Sequence, residues 1–170
     1  QLNRVGNPDI TETEYLEIIS AKTGALISAA CRIGAILGGL SEEKELALAN
    51  FGMKIGMVFQ MADDILDYMA EEQDLGKKLC KDLEEGKITL PLLLLLSTAE
   101  EKDKIEIKKI ITDFSAAGLK RIATLLKQYR AIEASLSKAQ SLVDEARKEL
   151  SLFPDSRAKE ALLAIADYSL

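Results

Sequence analysis

The stretch Gly56-Met57-Val58-Phe59-Gln60-Met61-Ala62-Asp63-Asp64-Ile65-Leu66-Asp67-Tyr68 decides the fold. At about 100° per residue, Gln60, Asp63, Asp64 and Asp67 fall within one arc of about 100°, while Val58, Phe59, Met61, Ala62, Ile65 and Leu66 take the other faces. The pattern predicts an inner helix with a single acidic stripe. Asp63 and Asp67 form an i, i+4 like-charge pair, mildly destabilising by itself, so a cation is expected beside them. A solvated face is the common explanation of a charge run, but such faces usually mix Lys with Glu. This stripe holds only Asp, with one Gln and one Gly. Oxygen-only ligands suit a hard ion such as Mg²⁺, which is typically shared between carboxylates and a substrate phosphate.

Working outward from this stretch, helical periodicity continues almost everywhere and no segment alternates as a half-buried strand would. The fold class is all-α. Thr11-x-x-Glu14 reads as a capping box for a helix running to about Leu37, where Gly38-Gly39 can end it. Ser41 can cap the next helix, which lasts to about Met69. Residues 71–87 are charged and glycine-punctuated, which predicts a long loop. Pro91 suits the first turn of a helix whose Leu92 to Leu96 run is apolar all round and therefore buried. Amphipathic helices come next at about residues 102–112, 119–129, 132–150 and 156–168.

On the first helix, Tyr15, Ile18, Ile19, Leu26, Ala29, Ile33 and Leu37 form an apolar stripe, with Lys22 in its middle. A buried ammonium needs an anion, so Lys22 is expected to lie buried beside a carboxylate or an anionic ligand; the alternative is that its stem snorkels to the edge. The loop adds Gly76-Lys77, Asp82 and Gly86-Lys87. Glycine beside lysine permits close backbone approach to a phosphate and places a point charge on it, although the P-loop pattern is absent.

The 170 residues are 48% hydrophobic, enough for one domain without a disulfide or structural metal. Twenty-two basic against 28 acidic residues leave a net charge of −6, which argues against a nucleic-acid surface. Histidine is absent, which removes imidazole acid–base chemistry and His-ligated zinc. Cys31 and Cys80 stand alone, in keeping with a reducing cytoplasm. The longest apolar run, Leu90 to Leu96, falls far short of the roughly 20 residues of a membrane span.

In order, Lys22-Thr23-Gly24, Phe59 to Tyr68, Gly76-Lys77, Asp82 and Glu85-Gly86-Lys87-Ile88-Thr89-Leu90-Pro91 resemble the second half of the trans-polyprenyl diphosphate synthases, closest to the octaprenyl type. The resemblance runs from Gln1 to about Tyr168. It implies an isoprenoid-synthase-like bundle of mostly antiparallel helices, a cytoplasmic homodimer, and condensation of isopentenyl diphosphate with an allylic diphosphate. Asp63, Asp64 and Asp67 match the second aspartate-rich Mg²⁺ motif, and Asp82 a supporting acid. Lys22, Lys77 and Lys87 match lysines that neutralise the allylic diphosphate. Thr23 and Gln60 match residues whose oxygens face the developing cation. Cys80 stands where the family usually has glycine. Residues 1–170 would then be the C-terminal part of one polyprenyl synthetase domain, with the first aspartate-rich motif and the isopentenyl diphosphate site in an N-terminal part outside the chain. Membrane contact would be at most peripheral, through the lipid product. A non-catalytic helical module of the same fold is the alternative. Terpene cyclases and squalene-type synthases are disfavoured by the Lys-Thr-Gly and Glu-Gly-Lys-x-Thr-Leu-Pro segments.

Overall fold

A computed structural model describes residues 9–69 and 80–170, and among them there are helices and turns but no strand. The first helical stretch is α1 (Glu12–Ile19), a π-helical turn (Ser20–Gly24) and α2 (Ala25–Leu37). After it come α3 (Glu42–Met69), α4 (Lys81–Glu84), α5 (Leu90–Thr98), α6 (Glu101–Thr112), α7 (Ala116–Gln128), α8 (Ala131–Glu149) and α9 (Arg157–Tyr168). The capping box forms as the sequence predicts: the Thr11 amide donates to the Glu14 carboxylate at 2.8 Å, and the Glu14 amide donates to the Thr11 hydroxyl at 3.2 Å. The α2 terminus is equally legible. Leu40 N–H reaches the Ala35 carbonyl and Gly39 N–H the Ile36 carbonyl, the paired bonds of a Schellman cap, with Gly39 left-handed at φ +64°.

The chain divides into two compact units, one of Gln1–Tyr15 with Asp63–Leu136, the other of Leu16–Ala62 with Ser137–Leu170. In the first, Leu90, Leu92 and Leu95 of α5 are fully buried together with Ile107, Ile122 and Leu125 from α6 and α7. Pro91 stands in the first turn of α5, as expected. Beside this core, the buried Asp103 accepts from the Tyr129 hydroxyl at 2.6 Å and pairs with Arg121, which also grips Glu106. This polar cluster has no signature in the sequence, because its members come from separate helices. In the second unit, Phe51, Ile55 and Val58 of α3 pack with Val143, Ala146 and Leu150 and with Ala166 of α9.

Three expectations change. Of the predicted loop over residues 71–87, residues 71–79 lie outside the described residues; the remainder contains the helical turn α4, and the residue that opens it, Cys80, is left-handed at φ 58°. That conformation favours glycine, the residue that the family resemblance implies at this position. Nor is α3 apolar-wrapped on every side: Leu46, Phe59 and Leu66 are all about 60% exposed. The stretch Glu12–Leu37, 26 residues long, is apolar enough to cross a bilayer by length and composition, which the short leucine run did not foreshadow. In the fold, one side of it lies on α3, with the Ser28 hydroxyl on the Ala49 carbonyl at 2.8 Å. Its other side leaves Leu26, Ile33, Ile36 and Leu37 exposed.

Nothing lies within 4 Å of where a Cβ on Gly39 would stand, so Gly39→Ala tests backbone strain alone. It should lower stability by about 1 kcal/mol in urea unfolding, with the slope of the transition unchanged.

Candidate functional site

In the second unit, the π turn carries Lys22, Thr23 and Gly24, and Ala25 N–H donates back to the Ser20 carbonyl. Such single wide turns inside α-helices are frequent at functional sites. The Thr23 hydroxyl donates to Gln60 Oε1 at 3.2 Å, and Gln60 is buried on α3. Thus the structure brings together Thr23 and Gln60, two of the residues singled out by sequence. Lys22 departs from expectation: it is exposed, not buried. The reason is visible in its own stripe, where Leu26 is 76% and Leu37 83% exposed, so the ammonium has an open route to water.

In the first unit, the last two turns of α3 present the aspartates in three different environments. Asp63 is exposed. Asp64 is buried, and its carboxylate accepts the Tyr15 hydroxyl at 2.8 Å. Asp67 is half-buried and holds the start of α4, its two oxygens accepting the Lys81 and Asp82 amides at 3.1 Å each, while its backbone carbonyl accepts Cys80 N–H. Burial pushes the Asp67 carboxyl upward; the Asp82 and Lys81 amides pull it down, and the charges of Asp82 and Asp63 push it up again. Asp64 therefore leaves the stripe that the helical projection drew. A projection assigns an angle, and Tyr15 fills the space at that angle.

From Asp82 the chain turns back through Gly86, and the Lys87 ammonium donates to Asp82 at 3.0 Å and pairs with Glu85 at 2.6 Å. These partners, Glu85 first, hold the Lys87 ammonium well above the ordinary lysine range. Lys77 lies outside the described residues. Cys80 is buried, which pushes its thiol up to about 12, so it is an unreactive packing residue at neutral pH. Sequence reasoning missed Tyr15, whose place in an apolar stripe concealed a hydroxyl needing a partner.

No three His, Cys, Asp or Glu side chains among the described residues close a metal site by themselves. Asp63, exposed, and Asp67, half-buried, stand one turn apart on α3 and are carboxylates that could hold a hard cation together with phosphate oxygens.

Helices without strands among the described residues, a helix bearing the carboxylates, and a Lys-Thr-Gly turn bonded to it make an all-α fold of the isoprenoid-synthase class. The description Polyprenyl synthetase matches residues 1–128. The chain belongs to the polyprenyl synthetase family. It is 39% identical over 162 residues to the short chain isoprenyl diphosphate synthase of Methanothermobacter thermautotrophicus, covering 95% of this chain and 50% of that protein. With the octaprenyl diphosphate synthase of Escherichia coli it shares 35% identity, over 98% of this chain and 52% of the relative. The crystal structure of a polyprenyl synthase from Caulobacter crescentus, complexed with calcium and isoprenyl diphosphate, superposes with a TM-score of 0.89 at 36% identity, covering 99% of this chain and 52% of that one. The chain thus spans about half the length of the relatives it matches.

Burial drives the Tyr15 hydroxyl far above the ordinary tyrosine range, with the Asp64 charge adding to it, and burial does the same to Tyr68. The folded state therefore keeps protons that the unfolded chain releases near pH 10, and stability falls as pH rises past that value. Tyr15→Phe should flatten this alkaline loss in melting curves. At pH 7 it should destabilise by about 2 kcal/mol, because a buried carboxylate loses one of its hydrogen bonds.

Proposed function

We propose that this chain supplies one part of a Mg²⁺-dependent prenyltransferase that condenses isopentenyl diphosphate with an allylic diphosphate to make a trans-polyprenyl diphosphate. The carrying observation is the acidic run on α3, where Asp64 bonds Tyr15, Asp67 bonds α4 and Asp63 is exposed. Family membership gives that arrangement its chemistry. Calcium together with isoprenyl diphosphate in the Caulobacter relative supports a divalent cation meeting a diphosphate in this fold.

On this reading Asp63 and Asp67 hold the ion, and Asp82 supports them. Asp64 acts from behind as a buried anchor on Tyr15, a change from direct ligation. Bound Mg²⁺ would neutralise charge on the departing diphosphate. Lys22, Lys77 and Lys87 add fixed positive charge there, and the exposure of Lys22 leaves it accessible to such an anion. Thr23 and Gln60 turn oxygens toward the allylic cation as it develops. The released diphosphate can take up the proton lost in condensation, so a chain without histidine is no obstacle. The names of the relatives include short-chain, octaprenyl and decaprenyl products, and the octaprenyl type is one product length within that range. A cytoplasmic homodimer completes the proposal, with any membrane contact peripheral and owed to the lipid product.

Because the relatives are about twice as long, the chain purified alone should show no incorporation of radiolabelled isopentenyl diphosphate; turnover by it alone would refute the assignment of a shared site.

In the whole protein, Asp63→Ala should lower kcat by roughly 10²-fold or more. The melting shift induced by Mg²⁺ with an allylic diphosphate analogue should disappear. Normal turnover with an intact ligand shift would show the acidic stripe to be a solvated face.

A further inference from the structure

We infer that the π turn, seated on Gly56, is a positioning device that sets the Thr23 hydroxyl on Gln60, and that Gly56 is therefore a positioning residue for the reaction. The inference rests on the roles proposed above for Thr23 and Gln60. A Cβ on Gly56 would stand 2.7 Å from the Gly24 Cα, 3.0 Å from its nitrogen and 3.1 Å from the Thr23 carbonyl oxygen. The backbone of the π turn thus rests directly on the backbone of α3, at the residue one turn before Gln60.

A π turn accommodates one more residue than an α turn, which rotates everything beyond it by about 100°. That rotation governs which side chain of Lys22-Thr23-Gly24 meets α3. The resulting Thr23–Gln60 bond, 3.2 Å long, is already at the long end of hydroxyl geometry. A methyl group at position 56 would press on backbone rather than on a flexible side-chain end, so the turn itself must lift. Lifting it by even a fraction of an ångström separates Thr23 from Gln60.

Gly52, one turn earlier, provides the contrast. A Cβ there would stand 2.7 Å from the Ile27 carbonyl and 2.8 Å from Cys31 Sγ, an equal insult that touches neither Thr23 nor Gln60. If tight packing were the whole reason for glycine on this face, Gly52→Ala and Gly56→Ala would behave alike.

The experiment is a double-mutant cycle in the whole enzyme, with kcat per titrated active site, KM for both diphosphates and Tm measured for each variant. Thr23→Val removes the hydroxyl at constant shape and tests the role of Thr23. Gly56→Ala should lower kcat by roughly tenfold to a hundredfold with little change in KM, and should add almost nothing in the Thr23→Val background. Gly52→Ala should lower Tm and leave kcat per site near the parent's. If Gly56→Ala is recovered unfolded, Gly24→Ala takes its place in the cycle, since its Cβ would first meet the movable Met53 sulfur. An impaired Thr23→Val combined with a normal or fully additive Gly56→Ala overturns the positioning role and leaves the proposed function standing. So does a Gly52→Ala that lowers kcat as much as Gly56→Ala. A fully active Thr23→Val overturns the assignment of Thr23 and the positioning role with it.

Discussion

Carboxylates on a largely apolar helix must each be satisfied, and the order in this protein stems from how α3 meets that constraint. Three aspartates within five positions repel one another, and two of them are withdrawn from bulk water. The structure gives each a separate environment: a phenol for Asp64, a pair of backbone amides for Asp67, and the exposed side for Asp63. Tyr15 of α1 and the head of α4 are thereby fixed to one short stretch of α3. The position of Asp82 beside Asp67 is set by the same bonds that make the helix tolerable.

The fold class and most helix boundaries were legible because they depend on local signals. The capping box at Thr11, the double glycine after Leu37, Pro91 at the start of α5 and Ser156 before α9 act within a few residues of themselves. What was not legible depended on partners distant in sequence. Nothing in residues 101–129 announces that Asp103 will meet both Tyr129 and Arg121. The π turn likewise escaped notice, because a wide turn leaves apolar spacing nearly intact while rotating the residues beyond it.

The site was legible in composition more than in geometry. Gln60, Thr23, Asp67 and Asp82 are brought into hydrogen-bonded sets, whereas Lys22 lies open and Asp64 turns inward. Both differences have one cause: periodicity assigns a side chain to a face but cannot say what occupies the space opposite it. For Lys22 that space is open among exposed leucines, and for Asp64 it holds a tyrosine.

The hold of Asp67 on α4 also bears on how this protein can vary. Cys80, Lys81 and Asp82 offer three successive amides, the first bonded to the Asp67 carbonyl and the other two to its carboxylate. One residue of α3 thus sets the register of Asp82. A change at Asp67 would be felt along the whole of α4, whereas a surface change elsewhere on α4 leaves those three bonds in place, so the two ends of this contact are unequally free to drift over evolution.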